Sequence, residues 1–169
     1  LNENSDAGLF SDAALAASKI GGDSAAERLV NLLGKNWSAD KTAYKDAVLA
    51  ALSSFNGDIT PALMKALDTV SGSNASALLG LAGKRRVKSA SDKVFNWLGS
   101  DDKALAPCAA EALKGVVKAG DIDKIAKLLD GAKDNDKNLA DAYQAALNLY
   151  PESDHTMLVK SQIARSVNP

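Results

Sequence analysis

The sequence predicts an all-α protein built from about five helical hairpins that repeat along the chain. The 169 residues are 46% hydrophobic but only 5% aromatic, and Ala, the strongest helix former, is abundant. Runs of Ala and Leu also break at three Gly-Asp pairs, Gly22-Asp23, Gly57-Asp58 and Gly120-Asp121. Because Gly suits the left-handed residue after a helix and Asp suits the cap of the next helix, each pair predicts a tight turn between two helices.

The hairpins align on a late apolar residue of each second helix. These residues lie 31 to 34 positions apart and are Leu33, Leu67, Leu98, Leu129 and Ile163. A period in the low thirties with a helix-turn-helix unit is typical of solenoid proteins. The predicted first helices cover residues 11–20, 41–55, 75–83, 105–118 and 138–149. The predicted second helices cover residues 24–34, 59–70, 89–98, 122–130 and 154–166.

Local signals support the individual helices in chain order. In the first hairpin, Ala25, Leu29 and Leu32 recur with the spacing of one helix face. Pro61 and Pro107 fall in predicted first turns, where the missing N–H of proline is harmless. These segments therefore read as ordinary amphipathic helices.

Two hairpins depart from the pattern. The third replaces Gly-Asp by a longer basic turn, Lys84–Ser89, and the fifth ends its first helix near Pro151. An atypical last repeat is expected where its outer face meets water, and the alternative is an array that continues further. We assign residues 1–10 to a tail or linker and 11–169 to one repeat domain, a segment of a larger protein.

Residues 13–33, AALAASKIGGDSAAERLVNLL, resemble a HEAT-like repeat of the phycobilin-lyase type. Residues 109–129 and 47–67 resemble two further copies. The resemblance implies a right-handed superhelix with the first helices on the convex side and the second helices lining the concave side. Similar arrays serve as protein-binding scaffolds.

Composition bears on partners and on location. The chain has 20 basic and 21 acidic residues, so its net charge of −1 provides no field to concentrate nucleic acid. No apolar run is long enough for a membrane span, which predicts a soluble chain without membrane insertion. The chain starts at Leu1 without an initiator Met, which fits removal of an upstream segment such as an export signal. The compartment is not predicted.

The residues predict no catalytic, cofactor or metal site, and therefore no enzyme in this domain taken alone. His155 is the only histidine and Cys108 the only cysteine, so no zinc ligand set exists. We interpret His155 as an exposed residue near a helix start and Cys108 as a small buried hydrophobe, in preference to nucleophilic chemistry. An adjoining domain could still be catalytic.

The aromatic residues have structural and functional interpretations. Trp97 adjoins Leu98 and is expected to pack in the core or between repeats. Trp37 lies after the first hairpin with Tyr44 close behind. An exposed Trp-Tyr pair could be a binding hot spot, and the alternative is a hydrophobic cap over the end of the array.

The basic turn is the one concentrated charge feature, with Lys84, Arg85, Arg86 and Lys88. One interpretation is a solvated turn that keeps the array soluble, and the other is a contact for an anion or an acidic partner. An alternative function, nucleic-acid binding or processing, would use this turn together with a basic groove. The predicted second helices mix acidic and basic residues and are close to neutral, which disfavours that alternative.

A polar ladder lies two residues before the aligned apolar residues. It comprises Asn31, Lys65, Asn96 and Lys127. Any solvent-facing helix position tends to be polar, so the ladder is a geometric inference. With the repeat, it predicts a noncatalytic scaffold that binds another protein, or an adjoining domain of the same chain, through its concave second-helix face.

Overall fold

The computed structural model describes residues 1, 5–72, 74–99, 104–131 and 137–149, and every regular element within those ranges is helical. The all-α prediction is confirmed. The first helices of the pairs are α1 (Ala7–Ile20), α3 (Thr42–Ser53), α5 (Asn74–Lys84), α7 (Leu105–Val116) and α9 (Lys137–Leu147). The second helices are α2 (Asp23–Leu33), α4 (Thr60–Thr69), α6 (Ser91–Leu98) and α8 (Ile122–Gly131). The predicted helix 154–166, with His155 and Ile163, lies outside the described residues.

Most helix bounds fall within three residues of the predicted ones, and the largest difference is at the start of α1. The Asp6 carboxylate accepts hydrogen bonds from the backbone N–H groups of Gly8 and Leu9, at 2.8 and 3.3 Å. This cap starts the helix at Ala7 instead of residue 11. Residues 7–10, assigned to the tail by sequence, are therefore the first turn of α1, and Phe10 is buried.

The glycines of the Gly-Asp turns do not all behave alike. Gly22 and Gly57 have positive φ angles of 88° and 141°, as the turn prediction requires. Gly120 is not among the positive-φ glycines. It lies instead in a short 3₁₀ turn, Ala119–Asp121, that leads into α8. The left-handed turn is thus confirmed in the first two hairpins and wrong in the fourth.

The aspartates of these pairs also have three different roles. Asp58 accepts a hydrogen bond from the backbone N–H of Thr60 at 2.8 Å and caps the start of α4. Asp23 is the first residue of α2, whose start has no side-chain cap. Asp121 is buried and accepts hydrogen bonds from the Ser91 hydroxyl, at 2.6 Å, and the Lys118 backbone N–H, at 2.8 Å. Of the three, Asp58 comes nearest to the predicted cap, although the N-cap residue of α4 is Ile59.

The first helices form a continuous row in which α1 packs on α3, α3 on α5, α5 on α7 and α7 on α9. Small residues let the backbones approach closely between α5 and α7. A Cβ atom on Gly115 would lie 2.0 Å from the carbonyl oxygen of Gly83, and one on Gly83 would lie 2.9 Å from the Cα of Ala112. These glycines set the distance between two repeats.

The second helices form the other layer of the array. The helix α2 packs on α4, and each second helix also packs on the first helix of the following pair. The apolar core fills the space between the two layers, with fully buried Leu29, Leu63, Leu78, Leu113 and Ile125. The second helices bury one face and leave the opposite face in water.

An aromatic cluster of Phe10, Trp37 and Tyr44 lies at the first hairpin. The Trp37 and Tyr44 rings stack with centroids 6.0 Å apart, and Phe10 meets the edge of both. The Trp37 Nε1–H group donates to the Leu32 carbonyl at 2.8 Å, and the Tyr44 hydroxyl donates to the Ser5 carbonyl at 2.7 Å. Because their polar atoms are bound internally and their rings are half-buried, the pair fits the hydrophobic cap better than the hot spot.

Candidate functional site

The polar ladder lies on the water-facing side of the second helices. Its four members are exposed, one each on α2, α4, α6 and α8, and they are Asn31, Lys65, Asn96 and Lys127. Two residues correspond to about 200° of rotation around a helix, so the ladder faces away from the aligned leucines. Leu33 and Leu67 are buried and Leu98 and Leu129 are half-buried, in agreement with that register. We call these four residues the second-helix ladder.

Ion pairs connect consecutive second helices beside the ladder. In each pair the carboxylate is on the earlier helix and the ammonium group is on the later one. The pairs are Glu27–Lys65 at 3.4 Å, Asp68–Lys93, and Asp92–Lys124 at 3.0 Å. One ladder member, Lys65, is therefore also a link between α2 and α4. The alternation of charges keeps this face close to neutral.

The pair Asp92–Lys124 shifts the pKa values of both of its members. The Lys124 ammonium donates a hydrogen bond to Asp92, and its charge, followed by that of Lys118 at 3.6 Å, also holds the pKa of the Asp92 carboxyl below its usual range. The same hydrogen bond and the Asp92 charge raise the pKa of Lys124. The Lys124 ammonium also lies 5.3 Å from the centre of the Phe95 ring.

An open groove adjoins the first ladder residue. It has a volume of about 650 Å³ and is lined by Asn31 with its neighbours Glu27, Arg28 and Lys35 on the same side of the first hairpin. The Arg28 guanidinium donates to the carbonyl of Leu1 at 3.1 Å. The groove therefore presents an amide and groups of both charges.

Two side chains of the basic turn bind neighbouring hairpins. Arg85 donates to the carbonyl oxygens of Ser53 and Gly57, at 3.5 and 3.0 Å, at the end of α3. Lys88 donates to the carbonyl oxygens of Gly115 and Val117, at 3.1 and 2.7 Å, at the end of α7. Carbonyls at a helix C-terminus have no partner within the helix and attract cations. These two side chains fasten the third hairpin to the second and fourth.

Lys88 is also affected by its burial. Partial burial, with the nearby Arg86 charge adding to it, lowers the pKa of the Lys88 ammonium, and Asp121 opposes this change. A lysine held in this way is satisfied by backbone carbonyls and is less available to an outside ligand. Arg85 and Lys88 therefore link hairpins within the molecule, whereas their contact with a partner stays a prediction.

Lys84 and Arg86 face a second groove. Both side chains are exposed and make no hydrogen bond or ion pair with the residues that the structure describes. They line an open groove of about 510 Å³ between α5 and α7, together with Cys108, Glu111 and Gly80. Arg86 has a φ angle of 53°, a conformation that favours Gly after a helix end. The predicted basic cluster is therefore divided into two inward and two outward side chains.

The remaining candidates for chemistry stay isolated. Cys108 is half-buried, not buried as predicted, and its sulfur lies 3.6 Å from the carbonyl of Ala104. No group of three or more His, Cys, Asp and Glu side chains in the described part of the chain is placed to hold a metal ion. Trp97 is half-buried and packs on the core, as expected.

Sequence reasoning missed the ion pairs between second helices. Their partners are 38, 25 and 32 residues apart, close to one repeat, which is the signal that could have revealed them. It also missed the buried contact between Ser91 and Asp121, because Asp121 was expected to cap a helix and Ser91, within the predicted helix 89–98, was given no role. Charges of consecutive second helices are neighbours in the structure although they are distant along the chain.

Within the described ranges, no helix combines the length and apolar character needed to cross a membrane. Comparison of the chain with protein-family models, with curated proteins and with solved structures finds no match. The HEAT-like resemblance therefore stays a prediction from the residues themselves.

Proposed function

We propose that this chain is a HEAT-like solenoid that acts as a noncatalytic scaffold for another protein or for an adjoining domain of its own chain. One observation carries the proposal: four successive second helices each place an exposed polar side chain at the same register. These side chains are Asn31, Lys65, Asn96 and Lys127. A repeated register presents groups at regular intervals, which suits an extended partner segment.

The chemistry of the ladder favours a partner that offers hydrogen-bond acceptors. The order along the array is amide, ammonium, amide, ammonium. Lys65 forms an ion pair with Glu27, whereas Lys127 has no ion pair within the described residues. Backbone carbonyls and scattered carboxylates of an extended segment would satisfy such a row. The predicted superhelix places this face on its concave side, where a partner contacts several repeats at once.

The test removes the ladder without touching the core. The variant Asn31→Ala/Lys65→Ala/Asn96→Ala/Lys127→Ala is compared with a matched control on the first-helix side. The control, Lys19→Ala/Lys137→Ala/Gln144→Ala/Asn148→Ala, also loses two lysines and two amides that are exposed. Each protein is immobilised, and captured proteins from the source cells are quantified by mass spectrometry.

We expect specific proteins to be captured by the parent chain and the control and lost from the ladder variant. A decrease of at least tenfold in the amount of protein captured by the ladder variant would support the proposal. Its melting temperature should be unchanged, since exposed substitutions have small effects on folding. Equal capture by the ladder variant and the parent chain would contradict it. Equal loss from both variants would also contradict it, because binding would then depend on general surface polarity.

Lys84 and Arg86 form the second candidate contact, for an acidic partner. They are the two cations of the basic turn that face a groove and not a backbone carbonyl. The nucleic-acid alternative has less support, because Arg85 and Lys88 bind carbonyls of neighbouring hairpins. Titration with a fluorescent single-stranded oligonucleotide distinguishes the acidic-partner contact from the nucleic-acid alternative. The titration is done at about 50 and 200 mM salt, because phosphate binding weakens steeply between these concentrations. We expect no binding, and salt-sensitive binding lost in Lys84→Ala/Arg86→Ala would favour the alternative.

A further inference from the structure

The helix α1 has an apolar stripe that faces water. Leu9 and Ile20 are 63% and 82% exposed, and Ala13 and Ala16 between them are exposed as well. Their spacing of four, three and four residues places them on one helix face. The buried face of the same helix, with Phe10, is turned toward α2 and α3. The stripe is therefore a second apolar face on one helix.

Helix α1 differs from the later first helices in its contacts. Each of α3, α5, α7 and α9 packs on the first helix before it, whereas no described helix precedes α1. Leu1 lines a groove with Ala13 and Ala17 and covers only one edge of the stripe. Leu9 and Ile20 stay exposed beyond that edge.

We propose that α1 packs antiparallel on α1 of a second copy of this chain. A twofold axis at the level between residues 14 and 15 would place the stripe of one helix against the same stripe of the other. In that arrangement Ala13 faces Ala16 of the partner subunit, and Leu9 faces Ile20 of the partner subunit. Small residues at the centre allow close approach of the two helices, and large residues at both ends fill the space beside them.

The charges beside the stripe favour the same arrangement. Asp12 and Lys19 lie on one flank of it and have no ion pair within the described residues. Seven residues separate them by about 10 Å along their own helix, too far for a direct contact. In the antiparallel pair, Asp12 comes within about 3 Å along the helix axis of Lys19 of the partner subunit, and the symmetry repeats this contact.

The resulting dimer would join two arrays at their first hairpins and leave both second-helix ladders accessible. A contact made by one 14-residue helix is smaller than the roughly 800 Å² per partner of stable complexes. We therefore expect a weak dimer, with a dissociation constant on the order of 100 µM. This inference is independent of the scaffold proposal, because capture can be measured at low micromolar protein, where the chain is monomeric.

Sedimentation equilibrium of the full chain up to about 1 mM tests the dimer. We expect Leu9→Lys and Ile20→Lys each to weaken association at least about tenfold, since each places two charges in an apolar contact. The matched control is Leu128→Lys, which changes an exposed leucine on α8 and should leave association unchanged. Circular dichroism checks that all variants keep the parent melting temperature.

A charge exchange tests the orientation of the two helices. Asp12→Lys and Lys19→Asp should each weaken association about tenfold, and the double exchange Asp12→Lys/Lys19→Asp should restore it. A chain that stays monomeric at 1 mM overturns the proposal, and so does a dimer that is insensitive to Leu9→Lys and Ile20→Lys. Failure of the double exchange to restore association would overturn the antiparallel pairing.

Discussion

The helices of the first layer and those of the second layer are joined to their own neighbours by different interactions. Between first helices, small side chains let backbones touch, and at Gly83 and Gly115 no Cβ atom fits. Between second helices, the links that the structure describes include ion pairs on the surface, such as Glu27–Lys65 with side chains 54% and 77% exposed. Close packing of buried groups contributes far more to stability than exposed ion pairs do. The backbone contacts within the first layer therefore contribute more to stability than the exposed ion pairs within the second layer, whose water-facing side can change without loss of the core.

A third kind of contact joins neighbouring hairpins at their turns. Among the first four hairpins, polar groups of one hairpin donate hydrogen bonds to backbone carbonyls at a helix end of the next or the preceding one. The Asn56 backbone N–H donates to the carbonyl of Ser18 at 2.8 Å, and Arg85 and Lys88 do the same for the ends of α3 and α7. These contacts link neighbouring hairpins without using the water-facing side of the second helices.

The largest expected effect comes from filling the α5–α7 contact. Gly115→Ala should lower the free energy of unfolding by about 2–4 kcal/mol, because the new Cβ would meet a backbone oxygen that cannot move aside. Gly80→Ala in α5 is the control. A Cβ there would meet nothing within 4 Å, so the better helix former should raise stability by about 0.5–1 kcal/mol. Urea unfolding distinguishes the two, and equal effects would refute a special approach at Gly115.

The second largest effect concerns the buried link between the third and fourth hairpins. Asp121→Ala should cost about 2–3 kcal/mol, because the Ser91 hydroxyl and the Lys118 N–H both lose their acceptor. Asp121→Asn keeps an acceptor oxygen and should cost less than half as much. The measurement is again urea unfolding. If both substitutions were tolerated equally well, the contact would have no structural importance.

A smaller effect with the opposite sign is expected at the basic turn. Arg86→Gly should raise stability by about 0.5–1 kcal/mol, since Gly adopts the left-handed conformation of this residue without strain. Arg86→Ala removes the same charge but keeps the strain, and should stay within about 0.5 kcal/mol of the parent chain. Thermal unfolding followed by circular dichroism compares them. A loss of stability in both would mean that the guanidinium, and not the backbone, is what matters at this position.

The sequence predicts the helices well and their connections less well. The spacing of Leu29 and Leu33 is a local property, and the structure buries both as the periodicity requires. The Gly120-Asp121 turn resembles the other two in sequence but forms a 3₁₀ turn, because Asp121 is drawn inward by Ser91 of the preceding hairpin. Such contacts depend on the distance between repeats, which local propensity does not encode.

The candidate site shows the same limit. The exposure of Asn31 and Lys127 could be predicted, because it follows from helix period alone. The division of the basic turn could not, since it depends on the carbonyls of α3 and α7, which approach from other repeats. Four adjacent cations looked alike in the sequence, yet Arg85 and Lys88 point inward while Lys84 and Arg86 face the groove.

The smallest effect tests whether the ion pairs of the second layer act through charge. Asp92 has a lowered pKa in the folded chain, so its stabilising contribution is present above the unfolded value of about 3.8 and is lost as the pH falls through the folded pKa. Asp92→Asn should therefore lower the melting temperature slightly at pH 7, and the difference from the parent chain should shrink as the pH falls below about 3.8. Asp46→Asn removes an exposed carboxylate of α3 that has no ion pair within the described residues, and it should show no such trend. An Asp92→Asn difference that is as large at pH 2 as at pH 7 would show that packing, and not charge, links α6 to α8. The second layer would then resemble the first, and the comparison between them would fail.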